Sequence, residues 1–322
     1  MNRPPIPAEL RRAVLVEAGH RCAIPRCNNT DIDIHHIIPW SQCKKHEYQN
    51  LIALCPLCHR RVHKNEIDRK SLRQYKKLLV SEFSFSDSLS FQSPPIEIKR
   101  KLSHSDLSQT KVGFDFEFPD FKDPAARIVS RNIELWGNEL LVEYLKGLEV
   151  LRKNPMPPEP IIVWLRGRYE VVRRDSYVIS LRYTIERFSN YAAHRGIETR
   201  VQNFIINPFQ PLTILELIES KDSLKQLAEL ARSELLSSNE RKRDHDLVIR
   251  GTMPKYENFM LFNFHEYALE FTFERYQIGC GAEGISRIYL HYHMLNAIVK
   301  PDVLDILQQH DGFSESMFTR EK

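Results

Sequence analysis

No apolar run in this chain approaches the ~20 residues that a membrane-spanning helix requires, so no membrane partner is expected. The opening, "MNRPPIPAELRRAV", lacks the apolar core of a secretory signal, and the expectation is a cytoplasmic protein. There is no glycine-rich phosphate loop and no His-x-Lys signature of the phospholipase type. No repeat recurs at the spacing of a solenoid. Six cysteines in 322 residues are too few, in a reducing compartment, to suggest a disulfide framework.

What is present is an ordinary globular composition, 42% hydrophobic and 27% charged, in a chain long enough for about two domains. The net charge of +4 conceals an asymmetry. Residues 1–80 hold 15 Lys and Arg against 7 Asp and Glu, a net of +8, and the remainder is net −4. A basic first quarter suits a polyanionic partner.

The segment "DIDIHHIIPW" sets His35 and His36 side by side in a strand-like run that Pro39 closes. Neighbouring side chains on a strand face opposite ways, so the two imidazoles are expected to hold different posts. Around them stand Cys22-x4-Cys27 and Cys55-x2-Cys58. Two close cysteine pairs in a cytosolic protein point to tetrahedral thiolate zinc, since the Cys-x2-Cys turn lets two sulfurs reach one ion. Four thiolates fill the coordination shell, which makes this zinc structural. His59 and His63 follow at i, i+4 and share one face of an expected helix. One of His35 and His36 could complete a three-histidine metal site with them, while the other faces a substrate as a base. Cys43 and Cys280 read as free thiols, and His20 and His46 as surface residues.

The stretch "CAIPRCNNTDIDIHHIIPWSQCKKHEYQNLIALCPLCHRRVH" resembles the HNH endonucleases, the ββα-metal nuclease fold, over roughly residues 8–80. The motifs that carry the resemblance are His35-His36-Ile37-Ile38-Pro39, Asn50-Leu51 and Leu54-Cys55-Pro56-Leu57-Cys58-His59. The resemblance implies His36 as general base and Asn50 as the residue that holds its loop. It implies His35, with His59, His63 or both, as ligands of a catalytic divalent metal. The commoner family pattern has Asp where this chain has His35; the His-His form is similar to the nuclease colicins. An all-imidazole set favours Zn²⁺, Ni²⁺ or another transition ion over hard Mg²⁺, with Mn²⁺ between. The chemistry agrees: a histidine suits deprotonation of water near neutral pH, and a divalent ion suits the charge on the leaving 3′ oxygen. Lys44, Lys45, Arg60, Arg61 and Lys64 are the expected DNA-binding set, through salt-dependent phosphate contacts.

The expected architecture is α+β: a small zinc-stabilised ββα-metal domain over 1–80, a Ser-rich linker over 81–124, and a larger mixed α/β domain over 125–322. In the last, "SYVISLRYTIERFSNYAAHRG" reads as a helix and "HDLVIRGTMP" as a strand. The succession of elements is faintly similar to catalytically empty phospholipase D-like domains. "RGRYEVVRR" could grip a phosphorylated ligand or keep a sheet edge soluble. His265, His291 and His293 read as strand histidines without a site. A nuclease joined to a non-catalytic domain is an arrangement of bacterial defence and restriction effectors, with the second domain receiving a small-molecule or protein signal. A homodimer would suit double-strand cleavage. The rival expectations are a non-catalytic DNA-binding adaptor and an RNA or tRNA nuclease.

Overall fold

The structure is a computed structural model and describes residues 3–84, 97–106, 111–153, 162–190, 192, 195–237, 243–280 and 283–309. It is a mixed α+β protein that divides into two units. The first comprises Met1–Ser103, Phe116–Glu159 and Asn207–Pro211; the second comprises His104–Asp115, Pro160–Ile206 and Leu212–Lys322.

In the first unit, α1 (Ala8–Glu17) precedes a short antiparallel pair, β1 (Asp33–His36) and β2 (Leu51–Leu54). Their register sets His35 opposite Ile52 and His36 opposite Leu51. All four residues of β2 are buried, which anchors the histidine strand to the core. The strand β1 stops at His36, before Pro39, which stands at the N-cap of a single helical turn, α2 (Trp40–Cys43), and a 3₁₀ turn follows at Tyr48–Asn50. The stretch between β1 and β2 is therefore partly helical, and Tyr48 is fully buried within it. Cys55 caps α3 (Pro56–His63), its sulfur accepting from the Cys58 N–H, with Pro56 at the first helical position, where a missing N–H costs nothing. Helix α4 (Arg69–Ser84) returns against this core through Leu72.

Two ion pairs with buried members tie the unit together. Lys76 of α4 pairs with Glu17 of α1, and its ammonium lies 3.8 Å from the centroid of the Tyr48 ring. Arg12, also buried, donates to Glu139 at 2.6 Å. Glu139 belongs to α5 (Pro124–Lys153), so this unit extends well past residue 80.

The stretch read as a linker contains two strands, β3 (Glu97–Asp106) and β4 (Lys111–Phe121), which are neighbours in a sheet. Val112, Phe114, Phe116 and Phe118 alternate with small or acidic residues and are buried, the period-2 pattern of a half-buried strand. The Ser-rich residues 85–96 lie outside the described residues.

In the second unit, β5 (Ile162–Arg174), β6 (Val178–Ser189) and β7 (Gly196–Ile205) are successive antiparallel neighbours. The segment 178–189, expected as a helix, is thus the central strand. Its first six residues are all buried; with both faces covered, the polar alternation that signals a strand is lost. After β8 (Gln210–Pro211), which falls in the first unit, come α6 (Ile214–Leu217) and the long α7 (Lys221–Ser237). Residues His245–Gly251, expected as a strand, form α8 instead. Asp244 caps it by accepting from the N–H groups of Asp246 at 2.9 Å and Leu247 at 3.2 Å, which satisfies otherwise unpaired first-turn donors. Strands β9 (Phe262–Phe264), β10 (Ala268–Phe273) and β11 (Ser286–His291) form a second antiparallel sheet in the order β11-β10-β9, and α9 (Pro301–Leu307) follows. Val178, Leu227, Phe262, Phe264 and Phe271 belong to its common core.

Candidate metal centre and active site

Cys22, Cys27, Cys55 and Cys58 converge, with all four sulfurs within 4.8 Å of one another. Cys27 Sγ lies 3.6 Å from Cys55 Sγ and 3.7 Å from Cys58 Sγ. Zinc–sulfur bonds of ~2.3 Å in a tetrahedron place sulfurs ~3.8 Å apart, so the quartet fits structural zinc. Burial opposes the Cys55 thiolate, but the Cys58 N–H and the neighbouring thiols outweigh it and bring the group down to about 7. A thiolate is the form that binds metal.

A second cluster consists of histidines, and its member on β1, His35, lies on the opposite side of that strand's pleat from His36. His35 of β1 and His59 and His63 of α3 bring ligand nitrogens within 4.8 Å of one another. His59 Nε2 and His63 Nε2 are 3.2 Å apart, as the i, i+4 spacing requires, and the His35 ring centroid is 4.7 Å from that of His59. Burial, then the neighbouring His59 and His63, lowers His35 to about 4. Three imidazoles with converging ring nitrogens are a donor set for a divalent transition ion.

His36 is buried and engages a different partner. Its Nε2 lies 3.0 Å from His46 Nδ1, and His46 Nε2 lies 3.0 Å from the Pro4 carbonyl oxygen. Burial, then Arg3 and His46, lowers His36 to about 4. Asn50 grips the turn after β1 on both sides: its Oδ1 accepts from the Ile38 N–H at 2.7 Å, and its Nδ2 donates to the Ile38 carbonyl at 3.1 Å. The backbone adds the Ile37 N–H to the Asn50 carbonyl at 2.9 Å.

Residues 20–65 match the family model of the HNH endonucleases. The chain carries an HNH domain. Two curated proteins share stretches of sequence with the chain. The peptidoglycan-N-acetylmuramic acid deacetylase PdaC of Bacillus subtilis (strain 168) is 33% identical over 97 residues, 30% of this chain and 21% of that protein. Anaredoxin of Nostoc sp. is 35% identical over 49 residues, 15% of this chain and 64% of that protein. The chain thus spans less than two thirds of the length of either. Among solved structures, a DUF3298 family member from Bacteroides fragilis aligns over 66% of this chain and 97% of its own, at 13% identity and a TM-score of 0.43. A DUF3298 family protein from Pseudomonas aeruginosa aligns over 66% and 98%, at 15% identity and a TM-score of 0.46.

Around the HNH site, Lys44, Lys45, Arg60 and Lys64 are exposed, while Arg61 is engaged by Glu66 at 3.2 Å. His46 is not a bare surface residue, as its sequence context suggested. It stacks on Trp40 with ring centroids 4.6 Å apart and holds His36. Arg3 is the second residue the sequence pattern did not single out, and its charge acts on His35, His36 and His46 alike. Among the described residues, no helix is long and apolar enough to cross a membrane.

Proposed function

We propose that this chain is a metal-dependent endonuclease that hydrolyses DNA phosphodiester bonds. The observation that carries the reading is the division of labour at β1: His35 converges with His59 and His63, while the adjacent His36 is held separately by His46.

The Pro4 carbonyl can only accept, so His46 Nε2 carries its proton and His46 Nδ1 is left with a lone pair. His36 Nε2–H must then be the donor to His46, and the free lone pair of neutral His36 sits on Nδ1. In this reading His36 Nδ1 takes the proton of the attacking water. Asn50 keeps the turn after β1, and with it the base, in place. His35, His59 and His63 would hold a divalent ion, which would supply Lewis-acid stabilisation for the charge on the leaving 3′ oxygen. Cys22, Cys27, Cys55 and Cys58 would hold a structural zinc that ties the loop before β1 to the start of α3. Arg3, Lys44, Lys45, Arg60 and Lys64 hold the phosphate backbone; Arg61 joins them once it leaves Glu66. A nuclease carried with a second unit suits a cytoplasmic defence or restriction-type effector, in which that unit receives a signal and a homodimer serves double-strand cleavage.

The test is plasmid cleavage by the full chain, stripped of loosely held metal and resupplied in turn with Mg²⁺, Mn²⁺, Ni²⁺ and Zn²⁺. Metal-restored cutting that disappears in His36→Ala supports the reading. Equal cutting by the parent and the variant overturns the role of His36. Parallel digestion of RNA decides between DNA and RNA as substrate.

A further inference from the structure

The arginines of "RGRYEVVRR" are put to different uses. Arg173 is buried and structural: it pairs with Asp175 at 2.6 Å and donates to the carbonyls of His265 at 3.1 Å and Leu307 at 2.7 Å. Arg168 pairs with Asp115 at 3.0 Å. Arg166 does neither. Its exposed guanidinium lies 5.0 Å from the ring centroid of Trp164, two residues earlier on the same face of β5.

The β5–β6 register sets Trp164 opposite Phe188. Their rings are stacked, with centroids 5.5 Å apart and planes 17° from parallel. Arg195, exposed just before β7, places its guanidinium 5.5 Å from the Trp164 centroid and 5.9 Å from that of Phe188. On the other flank, β4 presents Gly113, where even a Cβ would come within 3.4 Å of the Trp164 Cβ. No side chain from that position covers the indole. Glu186 faces Arg166 in the register, but among the described residues neither Arg166 nor Arg195 has an ion-pair partner. Trp164 and Phe188 are only half-buried.

Flat, half-exposed rings flanked by unpaired guanidiniums match one ligand chemistry well. Unpaired bases stack on aromatic faces and on guanidinium planes, and the same cations pair with the phosphates between bases. A duplex keeps its base faces hidden within its own stack. We infer that the Trp164–Phe188 face of the second unit, with Arg166 and Arg195, is a binding platform for single-stranded nucleic acid. Uncompensated positive charge argues against an apolar protein partner, whose surface would leave both guanidiniums desolvated and unpaired. The inference shares with the proposed function only the class of ligand and does not require cleavage.

The test uses the full chain carrying His36→Ala, so that no substrate is consumed. Fluorescence anisotropy measures binding of labelled oligothymidylate and oligouridylate of about 20 nucleotides, and of a duplex of equal length. Trp164→Ala should weaken binding of the single strands about tenfold and leave the duplex unchanged, while Trp164→Phe retains most of the affinity. Arg166→Ala with Arg195→Ala should flatten the dependence of log K on log salt by about 1.4, as two lost phosphate contacts require. Tighter binding of either oligomer with these losses supports the platform and tells the two sugars apart. Unchanged single-strand affinity in Trp164→Ala, equal losses on the duplex, or no single-strand binding by the parent overturns it. Cleavage that depends on His36 without binding that depends on Trp164 keeps the nuclease and removes the platform; the reverse pair of results does the opposite.

Discussion

His36 and His46 face each other across 3.0 Å, Nε2 to Nδ1, and His46 is itself anchored at 3.0 Å on the Pro4 carbonyl. A carbonyl at the end of such a chain decides the tautomer of both rings. Trp40, stacked on His46, limits the tilt of the second ring. The first prediction concerns this chain of bonds. His46→Ala should lower the cleavage rate about 10- to 100-fold, in line with the loss of other groups that orient a reactive side chain. His36→Ala should lower it by roughly 100- to 10,000-fold, the range of a lost general base. Nitrogen-15 NMR of the parent should show His36 as the Nε2–H tautomer, and His46→Ala should release it to a mixture. An Nδ1–H tautomer in the parent would remove the assignment of Nδ1 as the base.

The second prediction is a pH profile. Burial, reinforced by Arg3 and His46, lowers His36 from its ordinary value of 6.5 to about 4. A lowered histidine pKa means that the neutral, proton-accepting form persists as pH falls. Single-turnover cleavage should therefore hold between pH 7 and about 5 and decline only towards about 4. An acid limb centred near 6.5 would show that His36 is solvated in the working enzyme.

The third prediction separates the two clusters by metal content. Cys55→Ser removes a buried thiolate that also caps α3. Binding free energy at a structural zinc is folding free energy, so the variant should lose its tightly held zinc and its cooperative melting transition in the first unit. His59→Ala should retain the zinc and the transition while losing metal-restored cleavage. Elemental analysis beside thermal melts checks both; loss of the tightly held zinc in His59→Ala would merge two sites into one.

The reach of the sequence differs between spacing and contact. The Cys55-x2-Cys58 turn, and His59 and His63 one helical turn apart, are local geometries that a residue interval implies directly, and these groups do converge. The strand β4 was equally readable, since Phe114, Phe116 and Phe118 alternate plainly, but the Ser-rich stretch before it drew the whole region into a linker. Other features had no local signal. His46 meets His36 only because α2 and the 3₁₀ turn fold the intervening loop back. Strand β6 hides its period because both faces are buried. At α8 the deciding group was the Asp244 side chain, a capping signal outweighed by the β-branched residues that follow. The contact between α1 and α5 includes a buried arginine, Arg12, that composition counts as surface charge.

The last prediction concerns the other buried charge of that unit. Lys76 and Glu17 are both buried, and Lys76 also packs over Tyr48, two residues after His46 in the active-site loop. Burial raises Glu17 and lowers Lys76, each towards its neutral form, while their mutual attraction pulls both back. Removing one partner strands the other in a low-dielectric core, which typically costs about 3–5 kcal/mol. Lys76→Met should therefore destabilise the protein by about that amount in urea melts. The double variant Lys76→Met with Glu17→Leu should recover most of the loss, because two apolar side chains of similar size replace a pair whose attraction is largely offset by desolvation. If Lys76→Met alone is neutral, the pair is solvated in the protein and does not hold α4 to α1.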